Sequence, residues 1–172
     1  MKKNTTKMVT FGGVIAALYV VLTMIAAAMG LASGAIQVRL SEALTILPVF
    51  TVSAIPGLTV GCVLANLITG CAAWDVVFGS MATLLGAIGT RLLKDRPAVA
   101  WIPPVVSNMV IVPIVLMKVY GVDNVDVFGS VFNGDSLWIM LVVTVGIGEI
   151  IACGVLGLLL YKALKRTPQV FQ

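Results

Sequence analysis

Residues 8–29 read Met8-Val9-Thr10-Phe11-Gly12-Gly13-Val14-Ile15-Ala16-Ala17-Leu18-Tyr19-Val20-Val21-Leu22-Thr23-Met24-Ile25-Ala26-Ala27-Ala28-Met29. At about 1.5 Å per residue this predominantly apolar run is long enough to cross a hydrocarbon core about 30 Å thick. It stands behind the basic start Lys2, Lys3, Lys7, and no polar mature domain follows it, so it reads as a first membrane span and not a cleavable signal. The rest of the chain has the same character. Its 172 residues are 60% apolar and only 10% charged, with a mean hydropathy of +1.11. A soluble domain of this length would expose more apolar surface than stays dissolved. Short alternation of the barrel kind is absent, which leaves an all-α membrane bundle.

Six spans are expected. After a Gly/Ser loop and Gln37-Val38-Arg39, a short second run extends from about Leu40 to Val52 and carries Pro48, so it is tilted or incomplete. Pro56 opens a third run ending near Gly70, and Trp74-Asp75 begins a fourth that ends at Arg91 to Arg96. The fifth runs from Pro97 to about Val119 despite Pro103, Pro104 and Pro113. An acidic, polar loop (Asp123, Asn124, Asp126, Asn133, Asp135) precedes a sixth run from Leu137 to about Leu164. No repeat or second domain is evident, so residues 1–172 form one transmembrane domain.

Basic residues orient this bundle. With six spans, the N-terminal lysines, Arg91, Lys94, Arg96, and Lys162, Lys165, Arg166 all fall on one side, which the positive-inside rule makes cytoplasmic. Only Arg39 and Lys118 fall on the other side. Both termini are then cytoplasmic, whereas five spans would separate the N-terminal from the C-terminal charges.

Charged groups near the bilayer centre cost about 3 kcal/mol or more, so each needs a reason. Counted along each helix from the cytoplasmic end, Asn66, Asn108 and Glu149 sit roughly 17–20 Å up, in one layer. No basic residue shares the depth of Glu149. Glu42 and Asp75 lie higher with Arg39 close by, which together describes a cavity open to the outside. Simpler uses stay open for several of them: helix-to-helix hydrogen bonds for Asn66 and Asn108, a surface ion pair for Arg39 and Glu42, and a helix cap for Asp75. Trp74 and Trp138 at the outer face are either aromatic-belt anchors, as Trp101 is at the inner face, or stacking partners for a flat ring.

Cys62, Cys71 and Cys153 lie in or beside apolar runs with no CxxC spacing, and the chain has no histidine. They read as packing residues, and neither a metal site nor histidine acid–base chemistry is expected. On the first span, Gly12/Ala16 and Gly13/Ala17 form two overlapping small-xxx-small pairs that let another helix approach closely.

The run Ile36-Gln37-Val38-Arg39-Leu40-Ser41-Glu42-Ala43-Leu44-Thr45-Ile46-Leu47-Pro48, followed by Ala54-Ile55-Pro56-Gly57-Leu58, resembles the QueT family. So do Asp75-Val76-Val77-Phe78-Gly79-Ser80, Pro103-Pro104 with Asn108, and Val145-Gly146-Ile147-Gly148-Glu149. The likeness covers nearly the whole chain in order. It implies a substrate-binding S-component of an energy-coupling-factor (ECF) transporter in a bacterial plasma membrane, associated with uptake of queuosine precursors. The implied partners are one transmembrane coupling subunit and two ATPase subunits that use ATP and magnesium. The chain itself has no GxxxxGK[ST] loop to hold nucleotide phosphates. No bound cofactor, catalytic activity or nucleic-acid partner is expected of it. S-components commonly dock through Ala-xxx-Ala on the first helix, matched here by Gly12/Ala16 and Gly13/Ala17.

A 7-deazaguanine ligand suits the polar residues. Glu149 can accept from its ring NH and exocyclic amine, Asn66 or Asn108 can donate to its carbonyl, and Glu42 and Asp75 can pair with a cationic substituent. A self-sufficient secondary transporter of the same bases, or an S-component for another vitamin-like solute, is the competing reading. A membrane enzyme is disfavoured by the absence of histidine and of a dense carboxylate motif.

Overall fold

Long apolar runs with few charges fold as helices in lipid because each backbone group must bond within its own segment. A computed structural model describes this for residues 2–31 and 36–167. The expected Gly/Ser loop falls mostly on residues 32–35 and, like the side chains of Lys2 and Lys3, lies outside the described residues. Helix α1 spans Lys2–Ala28, α2 Ala54–Ile68, α3 Ala73–Leu92 and α4 Ile102–Lys118. The last run is continuous: α5 (Asp135–Glu149) passes through a π-helical segment (Ile150–Leu156) into α6 (Gly157–Lys165). Among the described residues, Thr5–Ala28, Ala73–Leu92 and Asp135–Lys165 are long and apolar enough to cross a membrane, and Leu40–Val49, Ala54–Ile68 and Ile102–Lys118 are shorter apolar helices.

Small residues set the helix spacing. A methyl group at Gly57 would lie 2.7 Å from the Gly12 carbonyl oxygen, and one at Gly61 would lie 3.0 Å from Ala16 Cα, so α1 and α2 are in backbone contact. On α3, Gly86 and Gly89 receive Pro104 and Pro103 from the first turn of α4, where a missing N–H costs no hydrogen bond. Ser107 Oγ then donates to the Ala82 carbonyl at 2.9 Å, tying α4 to α3. The apolar core gathers Ile15 and Tyr19 of α1, Leu44 and Leu47, and Leu58, Cys62 and Ala65 of α2.

The structure departs from expectation in three places. The second run, expected to be a tilted or incomplete span, is a 3-10 helix over Leu40–Val49 with Ser41 through Pro48 all buried inside the bundle. A 3-10 helix rises about 2.0 Å per residue, so this short run still covers roughly 20 Å. Pro48 has no N–H to give, and Arg91 Nη1 takes the Pro48 and Val49 carbonyls at 3.0 and 3.2 Å, closing its C-terminal end.

The acidic loop is ordered as an antiparallel hairpin, β1 (Asn124–Val127) with β2 (Ser130–Asn133), so the chain is mostly helical and not all-α. Asp126 Oδ1 accepts from the Gly129 N–H at 2.8 Å across a turn in which Phe128 and Gly129 both have positive φ, the geometry that suits strand twist. Finally, α4 starts at Ile102, because residues 97–101 form a turn in which Trp101 Nε1 donates to the Ala98 carbonyl at 2.9 Å.

Candidate functional site

The extended residues 37–39 enter the bundle beside α5. Val38 N–H donates to the Leu31 carbonyl at 2.9 Å, and the Gln37 carbonyl presses so closely on Gly148 that no side chain fits there. This path carries Arg39 inward, and two adjoining cavities share Gln37, Arg39, Leu116 and Val122 in their walls. The inner one, of about 200 Å³, is lined by Glu149 and Thr144 with apolar side chains such as Val112, Leu141 and Val125. The other, of about 380 Å³, is lined by Asn66, Asp75, Thr23, Thr69 and Tyr120. Small-molecule sites are clefts of this kind, apolar with a few converging polar groups.

Glu149 ends α5 where the backbone loosens into the π-helical segment, a local form that recurs at functional sites. One turn on, Cys153 Sγ donates to Glu149 Oε2 at 3.3 Å and approaches the Glu42 carbonyl at 3.5 Å, while Thr45 Oγ1 donates to Cys153 Sγ at 3.4 Å. Tyr19 on α1 donates its hydroxyl to Glu42 Oε1. The other Glu42 oxygen, Oε2, is buried without a hydrogen-bond partner, and so is Nδ2 of Asn108, which lies beside Glu149. An unpaired buried polar group costs about 1–3 kcal/mol. Behind the inner wall, Glu42 Oε2 is therefore an acceptor in want of a partner, and the Asn108 amide stands against the Glu149 carboxylate.

Glu42, Glu149 and Cys153 place potential metal-ligand atoms within 4.8 Å of one another. Cys153 bonds the Glu149 carboxylate, and Arg39 brings a positive charge to the same cluster.

In the outer half, Asp75 stands in the first turn of α3, and Tyr120 donates to its Oδ2 at 3.1 Å while accepting from the Ala72 N–H at 3.1 Å. Partial burial, together with the Asp75 carboxylate, pushes the Tyr120 hydroxyl above the ordinary tyrosine range, so it remains a donor. Gly79, one turn below, makes room for two side chains: a methyl group there would be 3.2 Å from Asn66 Nδ2 and 3.5 Å from Asp75 Oδ1.

The expected residues thus divide into groups. Arg39 is common to both halves, Glu149 lines the inner and Asn66 and Asp75 the outer. Glu42 and Asn108 lie behind these walls, at 1% and 3% exposure. The expectation that no basic residue shares the depth of Glu149 is corrected by Arg39, because the segment before the 3-10 helix dips into the bundle. Glu42 is correspondingly deep, next to Glu149 and not at the outer rim. Trp74 is 60% exposed and stacks on Phe78 at 5.9 Å, and neither it nor the exposed Trp138 lines either of these two cavities. Of the small-residue pairs, Gly12 and Ala16 face α2, whereas Gly13 and Ala17 are exposed on the neighbouring face; an apolar groove of about 420 Å³ follows the seam between α1 and α2, lined by Gly12, Gly13 and Ala16 with Pro56, Gly57 and Val60. Tyr19 and Cys153 are the site members that composition hides. Position offers a faint signal, since Cys153 is four residues from Glu149 and Tyr19 follows Gly12 and Ala16 on one helical face.

A family model described as QueT transporter matches residues 9–166. The Queuosine precursor transporter QueT of Lactococcus lactis subsp. cremoris (strain MG1363) is 36% identical over 97 residues, a match that covers 56% of this chain and 56% of that relative. The alignment therefore spans only about half the length of that curated relative. No solved structure matches the chain significantly. The match and the long apolar helices together make this a multi-pass membrane protein, and the chain belongs to the QueT transporter family.

Proposed function

We propose that this chain is the substrate-binding subunit of an ATP-driven ECF importer and captures a queuosine precursor, a 7-deazaguanine base, from outside the cell. The observation that carries this reading is the two-part cavity around Arg39, with Glu149 on one side and Asn66 and Asp75 on the other. Unpartnered Glu42 Oε2 and Asn108 Nδ2 lie directly behind it. A 7-deazaguanine presents a pair of adjacent donors and one carbonyl acceptor. Glu149 accepts from the ring NH and exocyclic amine, Asn108 or Asn66 donates to the carbonyl, and Asp75, with Glu42 deeper in, attracts a cationic substituent. Arg39 keeps the carboxylates from repelling one another when the site is empty.

In this reading all six helical runs cross the bilayer as one domain over residues 1–172, with both termini cytoplasmic. The basic clusters at Lys94/Arg96 and Lys162/Lys165/Arg166 then share the cytoplasmic side with the N-terminus. The chain is not an enzyme. A coupling subunit and two ATPase subunits, using ATP and magnesium, supply the energy. The coupling subunit docks on the exposed Gly13/Ala17 face of α1, since Gly12 and Ala16 are already in contact with α2.

Uptake of a labelled pre-queuosine base, measured in cells with and without the coupling and ATPase subunits, tests this. The reading expects uptake only with all subunits present. Substantial uptake by the chain alone would replace it with the secondary-transporter reading.

A further inference from the structure

Helix α1 connects its own exposed face to the carboxylates of the site. Gly12, Ala16 and Tyr19 line its inward side, where a methyl group at Gly61 would lie 2.8 Å from Tyr19 Cβ. Tyr19 is 2% exposed, and its hydroxyl donates to Glu42 Oε1. One turn further, Thr23 Oγ1 donates to Ser41 Oγ at 2.9 Å. These two bonds fasten the first turn of the 3-10 helix to α1. Glu42 in turn is joined to the cavity-lining Glu149 through Cys153, which bonds the Glu149 carboxylate and contacts the Glu42 carbonyl. Because Tyr19 holds one Glu42 oxygen, Glu42 is oriented with Oε2 as its only unpaired acceptor.

We propose that Tyr19 is a positioning residue for ligand binding: it holds Glu42 in register with Glu149 and makes that register depend on where α1 sits. The inference rests on the binding-subunit reading above and adds a route to it. The face of α1 one residue away, Gly13 and Ala17, is exposed. A helix docking there displaces α1, and the displacement reaches Glu42 directly through its buried hydrogen bond with Tyr19. Tyr19 does not line either cavity, so its effect on ligand passes through Glu42.

A double-mutant cycle on the purified full chain tests this, with 7-aminomethyl-7-deazaguanine as the probe. Tyr19→Phe is expected to weaken probe binding about tenfold, the scale of one hydrogen bond to a charged group. Glu42→Gln is expected to weaken it as well, and the double variant should bind no more weakly than Glu42→Gln alone. Wild-type affinity in Tyr19→Phe, or an effect that adds in full to that of Glu42→Gln, would overturn the proposal. If the wild-type chain does not bind the probe, the ligand assignment fails, and Tyr19 is judged by a ligand-free readout. Labelling of Glu42 and Glu149 by dicyclohexylcarbodiimide, mapped by mass spectrometry, should then rise in Tyr19→Phe. Unchanged labelling there would overturn the proposal.

Discussion

The backbone carbonyl of Gln37 rests against Gly148, the residue before Glu149, with no room between them for even a methyl group. This contact brings two distant parts of the chain to one place: the extended segment that carries Arg39 and the end of α5 that carries Glu149. It explains how a cation that sequence places near the outer surface shares a cavity wall with a carboxylate deep in the bundle.

Gly148→Ala therefore tests the placement of Arg39. The added methyl must push the 37–39 segment away from α5, widening the gap between Arg39 and Glu149. Ligand affinity should fall by more than tenfold, while the protein still elutes from size exclusion as a folded species. Calorimetric titration of the purified variant checks this. Unaltered affinity would mean that the segment does not set the geometry of the site.

Replacing Glu149 by Gln keeps its shape but puts a donor where the ligand's own donors are expected. Hydrogen bonds to a charged group contribute about 1.5–3 kcal/mol, so the dissociation constant should rise roughly 10- to 100-fold. Equilibrium binding of a pre-queuosine base measures it. Binding as tight as wild type would remove Glu149 from the ligand edge.

The two small-residue faces of α1 should respond differently to bulk. Gly57→Leu drives a side chain into the Gly12 backbone, 2.7 Å from where its Cβ would stand, and should lower the unfolding temperature in detergent sharply. The Cβ of Gly13→Leu would meet nothing within 4 Å among the described residues, so this variant should leave stability and ligand binding intact. It should abolish co-purification with the coupling subunit. Normal co-purification would place the docking face elsewhere.

Arg91 joins the C-terminal end of α3 to the end of the 3-10 helix whose first turn carries Glu42. Its Nη1 donates to two carbonyls that helix geometry leaves without partners, at 3.0 and 3.2 Å. Arg91→Ala should destabilise the protein by about 1.5–3 kcal/mol. Thermal or denaturant unfolding in micelles reads the loss, and an unchanged midpoint would contradict it.

Much of this was legible in the chain because lipid penalises polarity. Glu149, Asn108, Asn66 and Asp75 stand out against apolar runs, and each lies in or next to the cavity. The ends of α3 and of the last helical run were legible for the same reason, since charges and glycines bracket them. The depth of Arg39 and Glu42 was not. Counting rise assumes that each apolar run is a full α-helix, whereas Leu40–Val49 is a 3-10 helix entered by a segment that dips inward. Tyr19 and Cys153 were hidden because a lone tyrosine or cysteine in an apolar run satisfies the same composition as a packing residue. Only the tertiary contacts with Glu42 and Glu149 reveal their polar role. The hairpin went unread because its strands are four residues each and share their acidic composition with an ordinary loop.

The central claim is that this single chain holds a queuosine precursor through the two-part cavity around Arg39. Titration of the purified wild-type protein, without any partner, with 7-aminomethyl-7-deazaguanine tests it most directly. The account predicts saturable one-to-one binding with a dissociation constant of about 1 µM or tighter, lost in Glu149→Gln. No binding of this base or of its 7-cyano counterpart, or binding indifferent to Glu149, would contradict it.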